Sequence, residues 1–220
     1  TAILLSEMTP PPGGEEAFNR WYNGHHTPSH VEGVPGFLSA RRYKSDAGPN
    51  YMVIYDLEST AALRTQEYKT RKFTPDEPTR RMLASVTGFS RYIGEEIGFR
   101  ARPGETLAAL DAEYVVGVFF KVPAGRADDF VGWCETERAP MVLECPDWAM
   151  ARHFRIVDHN PEPFTHIVVH YLHSLAALES DVLKRARNTP WRNRLAAEPW
   201  FKAHVVQYRA FTSRFRKSNP

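Results

Sequence analysis

The sequence predicts an α+β protein in which one βαββαβ unit occurs twice along the chain. Apolar runs typical of strands and helical runs follow one another in the same order in both halves. Residues also repeat: Phe18 to Trp21 matches Phe130 to Trp133 at an offset of 112, and Leu57 to Leu63 matches Leu172 to Leu178 at an offset of 115. The three-residue difference corresponds to a change in loop length.

The elements of the first copy follow from periodicity and from turn residues. Strands are predicted over Ala2 to Glu7, Phe37 to Lys44, Tyr51 to Leu57 and Phe89 to Ile97. Helices are predicted over Glu15 to Gly24, over Thr60 to Tyr68 behind Ser59 as the N-cap, and over Thr79 to Ser85, with a loop from Lys69 to Pro78. Thr27-Pro28 predicts a helix break or a restart, because proline lacks an amide donor and disfavours helix in the residue before it.

The second copy repeats this order from Asp111 onward. Strands are predicted over Tyr114 to Lys121, Trp148 to Ile156, Thr165 to Leu172 and Phe201 to Phe211, and helices over Ala124 to Leu143 and Ser174 to Arg187. The Arg102-Pro103-Gly104 sequence is typical of a connecting segment. We therefore expect a first domain at residues 1–98, a linker at 99–110 and a second domain at 111–220.

The stretch from Glu15 to Tyr43 carries a more specific pattern. An aromatic residue, Tyr22, stands four positions before His26, Pro28 stands two after it, and Val34-Pro35-Gly36 leads into a strand that ends Arg41-Arg42-Tyr43. This spacing resembles the EthD-like members of the dimeric α+β barrel superfamily. The resemblance implies two tandem ferredoxin-like domains whose antiparallel sheets pair into an α+β barrel. It also implies an enzyme that acts on small oxygenated or aromatic compounds, since members of the superfamily include isomerases, cyclases, dehydratases and decarboxylases.

Fusion of two such domains has a physical consequence. In single-domain relatives two chains must meet to cover each other's sheet, whereas a tandem chain can close its own barrel and leave no sheet face exposed. We expect a monomer closed in this way, or a homodimer.

Composition narrows the class of protein. The 220 residues are 42% hydrophobic and carry a formal charge of +2, which does not favour nucleic acid or a membrane surface as the partner. The two cysteines do not form a disulfide framework, and no apolar run is long enough to span a membrane. A cytoplasmic enzyme with a small-molecule substrate is the expectation.

His26 is the predicted catalytic residue, with His25 beside it. An imidazole that titrates near pH 6.5 can take or give a proton at neutral pH. At the offset of 112 the second copy has Glu137 and Arg138 at these positions, which indicates that only the first copy kept the histidine pair. The alternative is that both histidines stabilise a helix end.

Strand residues complete the predicted site. Tyr55 and Arg41 are predicted to act with His26, Arg41 by bidentate hydrogen bonds to an oxygenated substrate. The substrate is expected to contact Trp21, Tyr22, Phe37, Tyr43, Tyr51, Arg91 and His170. The alternative for the aromatic members is that they only fill the core.

Four histidines of the second copy, His153, His166, His170 and His204, fall on neighbouring strands. His166 and His170 lie about 13 Å apart on an extended strand, so one metal ion cannot bind both. We expect no metal and no cofactor, with haem on a single axial histidine as the alternative. Phosphate-binding loops, serine-hydrolase elbows and zinc spacings are absent from the sequence.

The resulting hypothesis is a cofactor-independent lyase, dehydratase or isomerase that uses a histidine acid/base. The alternatives are a haem enzyme on the duplicated fold and a non-catalytic small-molecule-binding protein.

Overall fold

The structure, a computed structural model, describes residues 1–218, and their contacts divide the chain into two units. The first unit contains Thr1–Glu95, Asp158–Pro161 and the segment from Phe211 onward. The second contains Glu96–Val157 and Glu162–Ala210. The predicted domain bounds of 1–98 and 111–220 remain a proposal. In the predicted linker, the amide of Arg102 donates to the carbonyl of Ala149, 3.0 Å away.

The first unit is a four-stranded antiparallel sheet with helices. Its strands are β1 (Ala2–Thr9), β2 (Phe37–Lys44), β3 (Tyr51–Leu57) and β4 (Thr87–Ala101), in the order β4-β1-β3-β2. Strand β4 belongs to this unit as far as Glu95, and its residues from Glu96 belong to the second unit. Its helices are α1 (Glu15–Trp21), α2 (Thr27–Val31), α3 (Gln66–Phe73) and α4 (Glu77–Ser85), with a 3-10 turn at Thr60–Arg64. The predicted βαββαβ order is therefore present.

The second unit repeats this topology. Its strands are β5 (Tyr114–Phe120), β6 (Trp148–Asn160), β7 (His166–Leu172) and β8 (His204–Ala210), in the order β6-β7-β5-β8, again antiparallel. Strand β6 belongs to this unit as far as Val157. Helices α5 (Ala127–Trp133), α6 (Ala139–Val142), α7 (Asp181–Ala186) and α8 (Pro190–Ala196) complete it, with 3-10 turns at Leu107–Asp111, Ala124–Arg126 and Leu175–Glu179. The prediction from sequence missed α8.

A short strand, β9 (Phe215–Arg216), pairs with β2 in the first unit. Just before it, Arg214 makes a buried ion pair with Asp56, at 2.6 Å between Nη1 and Oδ2. The segment from Phe211 is therefore fixed to the first unit and not to the second, whose strands precede it in the chain.

Of the two predicted alternatives at Thr27-Pro28, the helix break is wrong, and a helix that restarts at Thr27, as α2, is present. Backbone from Trp21 to Thr27 stays helical, and the residues Tyr22–His26 form a π-helical turn between α1 and α2. The amide of Thr27 donates to the carbonyl of Tyr22, five residues back, and this wider turn accommodates a proline without ending the helix. The second unit has the same turn at Cys134–Arg138, before Pro140.

The region from Thr60 to Pro78 also differs from its prediction. Ser59 caps a helix as expected, but the helix is a short 3-10 turn. Thr65 then caps α3 by accepting from the amide of Tyr68, so helix replaces the first part of the loop predicted from Lys69. Asp76 caps α4 by accepting from the amide of Thr79.

Candidate active site

A cavity of about 440 Å³ lies within the second unit, in the size range of small-molecule sites. Strands β5 to β8 supply one part of its lining and helices α5 to α8 supply the other. Most of the lining is apolar, and the aromatic members are Phe120, Trp133, Trp148 and Phe201. Such a lining suits a flat organic molecule.

The repeat explains why the cavity lies in the second unit. The offsets place Cys134 at the position of Tyr22 and Leu183 at that of Tyr68. In the first unit both tyrosines are buried and their rings help to fill the core. A thiol and an isobutyl group occupy less space than two phenol rings, so the same backbone frame leaves room for a ligand.

Arg138 is the most unusual polar residue of the cavity. Its side chain is half-buried, and no hydrogen bond or ion pair joins it to any of residues 1–218. Burial and the neighbouring charges of Arg187 and Arg192 lower the pKa of Arg138 to about 10. It stays protonated at neutral pH, as a cation that lacks a partner.

His153 and Glu135 form a dyad in the cavity wall. Nδ1 of His153 lies 3.3 Å from Oε1 of Glu135, and the imidazole is 2% exposed. Because a carboxylate accepts, Nδ1 carries the proton and Nε2 keeps its lone pair. Nε2 is buried and has no hydrogen-bond partner in the described part of the chain.

His170 has the opposite tautomer. The indole Nε1 of Trp148 donates to Nδ1 of His170 at 3.2 Å, so Nε2 carries the proton of the neutral ring. Burial, followed by the nearby charge of Arg138, lowers the pKa of His170 to about 3. The cavity therefore holds a histidine that can accept a proton and a neutral histidine that can donate a hydrogen bond.

Gly98 makes room for the dyad. A side-chain carbon at this position would lie 2.1 Å from Oε1 of Glu135, far inside van der Waals contact. The absence of a side chain at Gly98 therefore lets the Glu135 carboxylate take up its position beside His153.

The first unit has a different polar pair at the same place. Arg42 and His153 pair with the equivalent valines of the neighbouring strands, Val53 and Val168. Nη1 of Arg42 donates to Oδ1 of Asn23 at 2.6 Å, and Asn23 precedes Glu135 by the offset of 112. The arginine is 2% exposed and lies over the rings of Tyr22 and Tyr51, so it belongs to the core.

His26 lies in a layer of rings in the first unit. The centroid of its imidazole lies 4.5 Å from the ring centroid of Trp21, 4.9 Å from that of Tyr22 and 4.4 Å from that of His30. Burial and the neighbouring His30 lower its pKa well below the usual range, so the ring is neutral at pH 7. His26 lines neither the cavity of the second unit nor a surface groove beside Trp21. Its catalytic role stays a prediction.

The other predicted site residues of the first unit are only partly brought together. Phe37 and Tyr55 contact His30, at 5.8 and 5.6 Å between ring centroids. Tyr51 accepts from Nδ2 of Asn19 and donates to Glu15. The structure does not bring Arg41 to these tyrosines: it lies over Tyr43 and donates to the carbonyl of Thr212.

Two further predicted residues make ion pairs. Nε2 of His25 lies 2.6 Å from Oδ2 of Asp76 at the surface. Arg91 pairs with Asp158 at 2.8 Å and donates to the hydroxyl of Tyr68. Of the residues predicted to bind substrate, His170 is the one that lines the large cavity.

Sequence reasoning missed Arg138, Glu135 and His153 as a group. The repeat places Arg138 opposite His26, and this exchange by itself indicates a loss of chemistry in the second copy. The sequence offers the exchange of Asn23 for Glu135 at the offset of 112. The exchange of Arg42 for His153, which are 111 residues apart, follows only from the strand register. Either exchange alone is uninformative.

Neither a cysteine nucleophile nor a metal site with three clustered ligands is supported by the residues that the structure describes in this cavity. Burial raises the pKa of the Cys134 thiol well above its usual value, so it is not a nucleophile at neutral pH. Across residues 1–218, no three His, Cys, Asp or Glu side chains are grouped so that they could share a metal ion. A single axial ligand is a different case: His153 has a free Nε2 and a carboxylate on Nδ1, as ligating histidines do.

Comparison with proteins of known structure identifies the fold of this chain. No protein-family model matches the chain, and no curated protein matches its sequence. An anthrone oxidase-like protein of known structure superposes with a TM-score of 0.70 at 10% identity, over 99% of this chain and 94% of that one. A monooxygenase-like protein from Lactobacillus acidophilus NCFM gives 0.57 at 10% identity, over 96% and 93%.

A mutant chlorite dismutase from Candidatus Nitrospira defluvii, solved with cyanide, gives a TM-score of 0.54 at 8% identity, over 96% of this chain and 91% of that one. The chain has the dimeric α+β barrel fold with duplicated ferredoxin-like domains. The predicted fold class is confirmed. At these identities the likeness shows the fold alone, and membership of the EthD-like family stays a prediction. No helix among the described residues has the length and apolar character needed to cross a membrane.

Proposed function

We propose that the chain is an enzyme that removes a proton from a small, flat, oxygenated organic compound bound in the cavity of the second unit, without a cofactor. The observation that carries this proposal is the His153–Glu135 dyad in a largely apolar cavity that also holds an unpaired arginine. A base, an orienting carboxylate and a cation for developing negative charge are the parts that proton abstraction beside a carbonyl or phenol requires.

Each residue has a separate role in this mechanism. Nε2 of His153 takes the proton, and Glu135 holds the ring and stabilises the imidazolium that forms. Arg138 and the Nε2 hydrogen of His170 stabilise the enolate or phenolate oxygen. The apolar wall excludes water, which strengthens both interactions.

The fate of the anion decides the reaction class. Expulsion of a leaving group gives a lyase or dehydratase, and protonation at another carbon gives an isomerase. The names of the similar structures, an anthrone oxidase-like protein and a monooxygenase-like protein, suggest a third outcome in which dioxygen is the co-substrate. All three begin with the step assigned to His153.

A panel of phenols, β-dicarbonyl compounds and hydroxy acids tests the proposal, with ultraviolet absorbance and an oxygen electrode as readouts. We expect turnover of at least one compound, and a loss of about 100-fold or more in His153→Gln. His166→Gln is the matched control, because His166 is also buried, lies 5.5 Å from His153 by ring centroids and does not line the cavity. Equal activity in the two variants would exclude His153 as the base.

A haem enzyme is the second candidate, because a carboxylate-backed histidine with a free Nε2 also suits an axial ligand. His153 would hold the iron, Arg138 would pair with a propionate, and the haem would supply redox chemistry. Addition of haemin to the purified protein, followed in the Soret region, decides between the candidates. A Soret shift that His153→Gln removes and His166→Gln leaves unchanged would favour haem.

The proposal includes three further expectations: a small-molecule substrate as the partner, a monomer or homodimer as the assembly, and a cytoplasmic location.

A further inference from the structure

Arg138 has no counter-ion among residues 1–218, although five other buried or half-buried arginines have one. Arg152 and Arg214, for example, pair with Glu96 and Asp56 at 2.7 and 2.6 Å. Nη1 of Arg138 is buried and without any hydrogen-bond partner. A desolvated donor without an acceptor is costly, so a group from outside the chain is needed to complete the site.

The charges around the cavity have one predominant sign. Arg138, Arg187 and Arg192 are the cationic lining residues, and Glu135 is the one carboxylate in the lining of the described structure. Glu135 already accepts from His153, and it makes no ion pair with an arginine. The cavity therefore has an excess of positive charge that its own residues do not neutralise.

The shape of the site separates the anion from the body of the ligand. Arg138 lies one helical turn from Cys134, on the helix side of the cavity, while the tilted rings of Phe120 and Phe201 lie 5.1 Å apart by centroids in the apolar wall. A guanidinium fork matches a planar carboxylate by two parallel hydrogen bonds. The apolar wall suits the ring of the same molecule and not a sugar phosphate.

We propose that the cavity binds an aromatic carboxylate, with the carboxylate on Arg138 and the ring against the apolar wall. This names the substrate class of the proposed enzyme and rests on the same cavity, but it is tested by binding and not by turnover.

Binding of 2-naphthoate is compared with binding of 2-naphthamide, a neutral molecule of nearly the same shape, by tryptophan fluorescence and by calorimetry. Trp133 and Trp148 line the cavity and report occupancy. The carboxylate should bind about 10- to 100-fold more tightly than the amide. Arg138→Gln should abolish this preference and Arg138→Lys should restore part of it.

Arg194→Gln is the control, because Arg194 lies on α8, pairs with Asp129 at the surface and does not line the cavity. It should leave the preference unchanged. Equal affinity for the two probes, a preference retained in Arg138→Gln, or no binding of naphthoate at millimolar concentration would each overturn the inference. Tighter binding of 1-naphthyl phosphate than of naphthoate would assign the site to phosphate esters instead.

The two proposals fail separately. If naphthoate binds through Arg138 and no compound of the panel turns over, the binding site stands and the enzymatic proposal falls. If the unaltered protein turns over neutral compounds with the same KM as their carboxylate analogues, the enzymatic proposal stands and the carboxylate preference is refuted.

Discussion

Replacement of Arg138 by methionine should stabilise the protein. Arg138 has no acceptor among the described residues, and burial lowers its pKa to about 10. A lowered pKa in a base means that the folded state disfavours the charged form, here by about 3 kcal/mol at most. Since the side chain is only half-buried, solvent screening reduces the penalty to about 1–2 kcal/mol.

Methionine keeps the apolar stem and removes the charge. For a chain of this size the expected rise in Tm is about 2–8 °C, measured by differential scanning calorimetry without ligand. Stabilisation on removal of a polar residue is the mark of a group retained for function. The same substitution should weaken naphthoate binding, so stability and binding change in opposite directions.

Arg152→Met is the matched comparison in the same unit. Arg152 is 4% exposed, and its Nε donates to Oε1 of Glu96 at 2.7 Å. Loss of the arginine leaves a carboxylate that is 14% exposed without this partner, and we expect destabilisation of about 3–5 kcal/mol. If Arg138→Met lowers the Tm as Arg152→Met does, Arg138 has a structural role and the reasoning is refuted.

Three further outcomes follow from the cavity. Gly98→Ala should displace the Glu135 carboxylate and release the tautomer of His153, which imidazole ¹⁵N shifts would record, whereas Gly125→Ala, at a position with open space around it, should not. The free energy of unfolding should fall by about 1 kcal/mol per pH unit from pH 6.5 toward pH 3 on account of His170 alone. The cause is that the unfolded imidazole takes up a proton below its usual pKa, whereas the folded imidazole does so only near about 3. Urea titrations of His170→Asn should lack this part of the slope. Leu183→Tyr, which introduces the residue of the first copy, should fill the cavity and abolish naphthoate binding while circular dichroism stays unchanged; undiminished binding would contradict the explanation of why the cavity exists.

Strand positions could be predicted from the sequence because alternation and turn residues act locally. The strand from Tyr51 to Leu57 was predicted with its observed bounds, since Asp46 to Asn50 and Ser59 delimit it on either side. Helix bounds were less predictable. Thr65 and Asp76 each cap a new helix, and a side-chain cap is visible in the sequence only when the backbone direction is already known.

The helix through Pro28 shows a different limit. Proline normally ends a helix because its ring meets the carbonyl four residues back. The π-helical turn moves that carbonyl away, and it occurs before a proline in both copies, at Tyr22–His26 and Cys134–Arg138. Its recurrence at the offset of 112 shows that the turn belongs to the shared frame and not to either histidine.

The cavity was beyond sequence reasoning because it depends on volume that is absent. A histidine pair is visible in one copy, while the smaller residues at Cys134 and Leu183 are noticeable only when the aligned tyrosines are known to fill the core. The first copy uses its frame to bury aromatic rings and an arginine held by Asn23. In the second copy the same helix and strand positions hold Glu135 and His153, whose hydrogen bond leaves the imidazole Nε2 free to accept a proton. A single exchange would have left either a carboxylate beside a buried arginine or a histidine beside an amide, so the dyad required both exchanges together.

This is the reason to place the chemistry where the histidine pair was lost, and the contrast between His153→Gln and His26→Gln measures it: the first should lose turnover and the second should keep it.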